Sequence, residues 1–173
     1  DAPAAVSAVS RKTHTGVGDF DVPLPLTGTP GVECRTGGAN GDHKIVATFN
    51  NVVTAGSASV SAGSVMGTPA FSGNTMTINL TGVTNAQALT VSLSNVKDGF
   101  GQTLASASVP MQVLLGDVNA SMSVNASDIG QVKANSGGSP VNATNFRNDL
   151  NADGSIGASD ISTVKAAAGT SVP

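Results

Sequence analysis

The chain contains no tryptophan and no tyrosine, and only one cysteine and two histidines among its 173 residues. Sugar-binding modules stack pyranose rings on large aromatic faces, so a carbohydrate-binding role is not expected. One cysteine cannot close an internal disulfide; Cys34 is expected to be a buried, inert thiol, with an intermolecular bridge as the alternative. Neither His14 nor His43 falls in a catalytic or zinc-binding spacing. Glu33 is the one glutamate, and outside the C-terminal third the other carboxylates are Asp1, Asp19, Asp21, Asp42 and Asp98. These read as solvated turn residues, not as the paired acid and base of a glycosidase. With no phosphate loop and no Gly-x-Ser-x-Gly elbow, the chain is expected to be non-catalytic.

Charge is scarce as well. Only 11% of residues are charged and the net charge is -3, so the basic footprint that nucleic acid requires is missing. No apolar run approaches the roughly 18 residues needed to span a bilayer. The chain opens on Asp1-Ala2-Pro3-Ala4 without Met, as a processed secreted chain would, and an extracellular or cell-surface location is expected.

What is present, up to about residue 115, is a series of short alternating segments broken by Gly, Asn, Asp and Pro. Strands are predicted near 5–11, 20–26, 43–49, 58–61, 75–80, 88–94 and 105–115. The second is read as an edge strand because it carries Pro23 and Pro25 on one face. Ile45, Ala47 and Phe49, then Met76, Ile78 and Leu80, then Leu89, Val91 and Leu93 are expected inward, and 95–101 is expected to be a turn. Such spacing argues for an antiparallel β-sandwich of Ig-like or Greek-key type. The first residues, 2–10, are expected to be exposed and free to extend a neighbour's sheet.

The most informative stretch follows. Asp149-Leu-Asn-Ala-Asp-Gly-Ser-Ile-Gly-Ala-Ser-Asp160 has oxygen side chains at positions 1, 3, 5 and 12, glycine at 6 and an apolar residue at 8. Ca²⁺ is a hard ion that takes six to eight oxygens, and alternate positions of a tight loop can turn theirs inward. Asp149, Asn151, Asp153 and Asp160 are expected as side-chain ligands, with Ser155 giving its main-chain carbonyl. The same register recurs at Asp117-Val-Asn-Ala-Ser-Met-Ser-Val-Asn-Ala-Ser-Asp128, with Asp117, Asn119, Ser121, Ser123 and Asp128 as the corresponding set. Here Ser121 replaces a carboxylate and Met122 replaces the glycine, so this second Ca²⁺ site is expected to be the weaker. Each loop runs into Ile-x-x-Val-Lys, and helices are predicted at 127–135 and 158–168, with a short connecting helix at 142–148. Ile129, Val132, Phe146, Ile161 and Val164 are expected to form a small core.

Two such repeats resemble the type I dockerin. The resemblance implies a calcium-dependent module over residues 116–173 that binds a cohesin domain. It also implies a partner surface at loop positions 10 and 11 and on the helices: Ala126, Ser127, Lys133, Ala158, Ser159 and Lys165. The preceding residues 1–115 resemble a bacterial Ig-like or cohesin-like sandwich. The whole is therefore expected to be mainly β, with a small helical domain carrying paired calcium loops. No Pro/Thr/Ser-rich linker separates the two parts, so they are expected to form one semi-rigid unit. Two functions follow. The chain is a secreted structural subunit that polymerises head to tail, sandwich to calcium domain; or it is an interaction module, the tail of a larger enzyme, docking onto a cohesin-like scaffold.

Overall fold

A computed structural model of the protein describes residues 1–137 and 140–173. Ten strands come first: β1 (Ala5–His14), β2 (Gly18–Pro23), β3 (Gly31–Glu33), β4 (His43–Phe49), β5 (Val53–Val60), β6 (Ser64–Val65), β7 (Ala70–Ser72), β8 (Thr75–Thr81), β9 (Gln87–Asp98) and β10 (Thr103–Val113). Two helices follow, α1 (Ala126–Asn135) and α2 (Ala158–Ala167), with a 3₁₀ turn at Phe146–Asn148 between them.

The strands form two sheets. One runs β2-β1-β4-β8-β6, with β7 also on β8; the other runs β3-β10-β9-β5. All pairings are antiparallel except β3 with β10. The period-2 pattern decides which faces meet. Ile45, Ala47, Phe49, Met76, Ile78 and Leu80 from the first sheet face Leu89, Val91, Leu93, Val109, Met111 and Val113 from the second, all buried in one apolar cluster. The expected inward residues of these strands are in place, and β2 is an edge strand, though it ends at Pro23 and leaves Pro25 beyond it.

Three expectations change. β1 is not free: Ala5 to Arg11 pair with β4 and Val9 to His14 with β2, so from Val9 on it is an inner strand that cannot extend a neighbour's sheet. The 95–101 turn is shorter than expected, because β9 continues to Asp98. The reversal is held by Asp98, whose Oδ1 accepts the amides of Phe100 and Gln102, each at 2.9 Å. The connecting helix at 142–148 is reduced to the 3₁₀ turn at Phe146–Asn148.

The second apolar cluster holds Val118, Val124, Val132, Val141, Leu150, Ile156, Val164 and Ala167 from the C-terminal part. Ile129, Phe146 and Ile161 are only partly buried against it. It also holds Val32, Cys34 and Leu114 from the sandwich, with Phe20, Ala86 and Leu115 packed around it. The helical part thus completes its core with sandwich residues. About sixty residues bury little apolar surface alone, and here the shortfall is met across the junction. The expected semi-rigid unit has this shared core as its physical basis.

The C-terminal tail closes the helical part. Val124 N donates to Thr170 O at 2.9 Å, Gly169 N to Val124 O at 2.9 Å, and Val172 N to Met122 O at 3.3 Å, clasping the first loop.

Candidate metal centres

Both loops fold around the aspartates at positions 1 and 12. In loop 1 (residues 117–128), Asp117 Oδ1 accepts the Ser121 amide at 2.9 Å and Oδ2 the Met122 amide at 2.8 Å. In loop 2 (residues 149–160), Asp149 Oδ1 accepts the Asp153 amide at 3.1 Å and Oδ2 the Gly154 amide at 2.9 Å. The last aspartate of each loop also caps the helix it begins. Asp128 Oδ2 accepts the Asn125 amide at 3.0 Å and Asp160 Oδ2 the Gly157 amide at 2.8 Å, placing a carboxylate in the first turn of α1 and of α2. This double duty explains why the helices start where the loops end.

The remaining donors gather around the first aspartate. The Ser121 amide is shared between Asp117 Oδ1 and Asn119 Oδ1, and the Asp153 amide between Asp149 Oδ1 and Asn151 Oδ1, so the oxygens at positions 1 and 3 lie side by side. In loop 1 the Ser121 hydroxyl stands 3.0 Å from the Ser123 carbonyl and 3.5 Å from Asp117 Oδ1. In loop 2, Asp153 Oδ1 accepts the Ser155 amide and hydroxyl, while Oδ2 accepts from Asn151. Among the described residues no three His, Cys, Asp or Glu side chains form a cluster by themselves. Each donor set is mixed, with amide, hydroxyl and carbonyl oxygens beside the carboxylates, the all-oxygen chemistry that suits Ca²⁺.

Electrostatics points the same way. Asp117, Asp128, Asp149 and Asp160 are fully buried, and no lysine or arginine side chain pairs with any of them in the described residues. Burying unpaired carboxylates is costly. Burial pushes the Asp117 carboxyl above its ordinary range and the neighbouring Asp128 adds to this, against the opposing pull of the loop amides. Asp153, at the exposed rim, is held low by the Ser155 hydroxyl and by Asn151. A divalent cation between the buried pairs would offset the repulsion, so the residues present fit the ion.

The loops differ in what stands behind them. Loop 2 rests on the β1–β2 turn and on the segment after β3: Thr15 N donates to Ala152 O at 3.0 Å, and Thr36 N to Leu150 O at 2.8 Å. Gly154 has φ +91°, and a Cβ there would lie 2.0 Å from Thr15 O, so both backbone conformation and the sandwich demand glycine. Among the described residues, no strand or turn of the sandwich hydrogen-bonds to the corresponding turn of loop 1, which meets the sandwich through apolar packing alone. Met122 takes φ +68° with its side chain packed on the second cluster, an exchange of backbone strain for burial.

A polar chain that the sequence reading missed runs through this junction. Glu33, Arg35 and His14 are fully buried, which corrects the reading of Glu33 as a solvated turn residue. All five guanidinium N–H groups of Arg35 are used: Nε and Nη2 on the Glu33 carboxylate at 2.8 and 2.7 Å, Nη2 also on Ser10 O, and Nη1 on Phe20 O and His14 Nε2. Because Arg35 can only donate, His14 Nε2 must accept, which leaves its proton on Nδ1. That Nδ1 sits 2.6 Å from Asp149 Oδ2. Phe20 and Phe146 stack at 5.3 Å beside them, and Arg35 lies 5.2 Å from the Phe146 ring centre. Burial pushes Glu33 upward, but the Arg35 charge and hydrogen bonds outweigh it and hold the carboxyl at about 2. Arg147 ties the other side, donating to Val32 O, Asp117 O and Val118 O. The signal in the sequence was Glu33-Cys-Arg35: two opposite charges one strand period apart in an otherwise uncharged region.

Cys34, between them, is fully buried, and burial pushes its thiol up to about 11, as an inert thiol requires. Ala126, Ser127, Lys133, Ala158, Ser159 and Lys165 are all exposed. Ser127 and Ser159 also receive hydrogen bonds from the Asn119 and Asn151 side chains, at 3.3 and 3.2 Å.

No curated protein and no solved structure was found to match the chain. Residues 115–167, which hold both loops and both helices, match the family model of the Dockerin type I domain. Domains of that type bind Ca²⁺ through EF-hand-like loops and dock onto cohesin domains, and the C-terminal part of this chain is similar to them.

Proposed function

We propose that the chain is a non-catalytic extracellular assembly protein whose calcium module docks onto a cohesin-like β-sandwich of another protein. One observation carries this reading: the six residues at the starts and along the outer faces of α1 and α2 stay exposed, although the sandwich packs firmly on the same module. Ca²⁺ is held by Asp149, Asn151, Asp153, Asp160 and the Ser155 carbonyl in loop 2, and by Asp117, Asn119, Ser121, Asp128 and the Ser123 carbonyl in loop 1. The ion supplies the positive charge that lets the buried aspartates sit together, and so fixes the angle at which the helices are presented. Polymerisation by strand exchange is disfavoured, because β1 is paired with β4 along its first half and with both β4 and β2 from Val9 to Arg11.

The test uses the full chain and a purified type I cohesin domain, by calorimetry in millimolar Ca²⁺ and in EDTA, with light scattering of the chain alone beside it. One-to-one binding that needs Ca²⁺ and weakens when Ser127 and Ser159 are both changed to Asp supports the proposal. No binding to cohesin, together with Ca²⁺-dependent polymers of the chain alone, replaces it with self-assembly.

A further inference from the structure

The His14–Asp149 hydrogen bond joins two parts of the molecule that have separate jobs, a strand end of the sandwich and the first residue of a calcium loop. Asp149 Oδ2 receives two donors, the Gly154 amide at 2.9 Å and His14 Nδ1 at 2.6 Å. Its other oxygen, Oδ1, is left beside Asn151 Oδ1, on the side where the loop's donors gather. In loop 1 the equivalent oxygen of Asp117 receives the Met122 amide and, among the described residues, no side chain. His14 is itself immobilised. Arg35 holds Nε2 at 3.1 Å, and Phe20 and Phe146 meet the ring edge-on at 5.1 and 6.2 Å.

We infer that His14 is a positioning residue for the Ca²⁺ site of loop 2: through it the sandwich orients Asp149, so that calcium binding in loop 2 and docking of the sandwich strengthen one another. This rests on the calcium reading of the loops. Groups that orient a metal ligand from behind are worth about 10–100-fold in affinity. Coupling of this kind is reciprocal, so the ion stabilises the docked sandwich by the same factor. Cys34 reports that docking, since its thiol is buried in the core the two parts share, 3.5 Å from Arg147 O.

The experiment titrates the chelated full chain with Ca²⁺ calorimetrically, for the wild type, His14→Leu and His14→Asn. It also measures the rate of Cys34 alkylation by iodoacetamide at saturating Ca²⁺ and in EDTA. Leucine fills space but donates nothing, whereas asparagine places an N–H near the position of Nδ1. The expected result is a loss of at least tenfold at the tighter site in His14→Leu, no change beyond about twofold at the weaker one, and recovery of most of the loss in His14→Asn. A purely structural role would lower both sites together, or spare both. In the wild type, EDTA is expected to speed Cys34 alkylation at least tenfold, and Asp128→Asn, which disables loop 1 alone, is not.

Unchanged calcium affinity in His14→Leu overturns the inference and leaves the calcium reading intact. Should His14→Leu fail to fold, as rapid alkylation at saturating Ca²⁺ would reveal, the wild-type arm decides: equal alkylation with and without Ca²⁺ overturns the coupling. A wild type that takes up no Ca²⁺ at millimolar concentration overturns both readings.

Discussion

Loop 1 and loop 2 begin and end on buried aspartates that accept main-chain amides in the same order, but among the described residues the sandwich strands and turns hydrogen-bond to only the second. Loop 2 has three carboxylates, a glycine with no room for a side chain, and His14 hydrogen-bonded to its first aspartate. Loop 1 has two carboxylates, a methionine in the turn, and the C-terminal tail as its clasp. The comparison teaches that the departure of loop 1 from the calcium pattern is not simple decay. Met122 gives the small helical part a piece of its core, at a positive φ where loop 2 has glycine.

The largest way to break the asymmetry is to remove the buried cation. Arg35→Leu leaves Glu33 buried with no counter-charge and releases His14, and it is expected to destabilise the fold by about 3–5 kcal/mol in urea unfolding at fixed Ca²⁺. Acid attacks the same pair more gently. The Glu33 carboxyl is held at about 2 in the fold against 4.5 ordinarily, so its contribution is fully present above about pH 4.5. It is lost as pH falls toward 2, and amounts to roughly 3 kcal/mol. A difference in stability between wild type and Glu33→Gln that shrinks over this window is the expected outcome; one that stays constant contradicts it.

Two reciprocal substitutions sharpen the contrast. Gly154→Ala meets Thr15 O and an unfavourable φ, and is expected to cost about 2–4 kcal/mol with a marked loss of Ca²⁺ affinity. Met122→Gly relieves the backbone but empties part of the shared core, and its net effect on thermal unfolding is expected to stay within about 1 kcal/mol. If the two changes prove equally costly, the sandwich is not what separates the loops.

Much of this was legible in the sequence, and the reasons are physical. Period-2 alternation from Ile45 to Phe49, Met76 to Leu80 and Leu89 to Leu93 reports a half-buried strand directly, and those faces lie inward. The calcium loops carry their chemistry at fixed spacing, so both repeats and both helix starts could be placed within a residue. What stayed hidden depends on pairs far apart in the chain. β3, a parallel edge strand of three residues, has no periodic signal. His14 touches Asp149 across 135 positions, and nothing local to either residue announces the contact. Residues 2–10 looked like a free strand because an inner and an outer strand share the same alternation; only the partners β2 and β4 tell them apart.

Loop 2, hydrogen-bonded to the sandwich, is expected to bind Ca²⁺ more tightly than loop 1. The direct measurement is a calorimetric Ca²⁺ titration of the full chain beside Asp149→Ala and Asp117→Ala. Two sites of different affinity are expected, with the tighter one missing in Asp149→Ala and retained in Asp117→Ala. Two equal sites, or a tighter site that survives Asp149→Ala and disappears with Asp117→Ala, would contradict it.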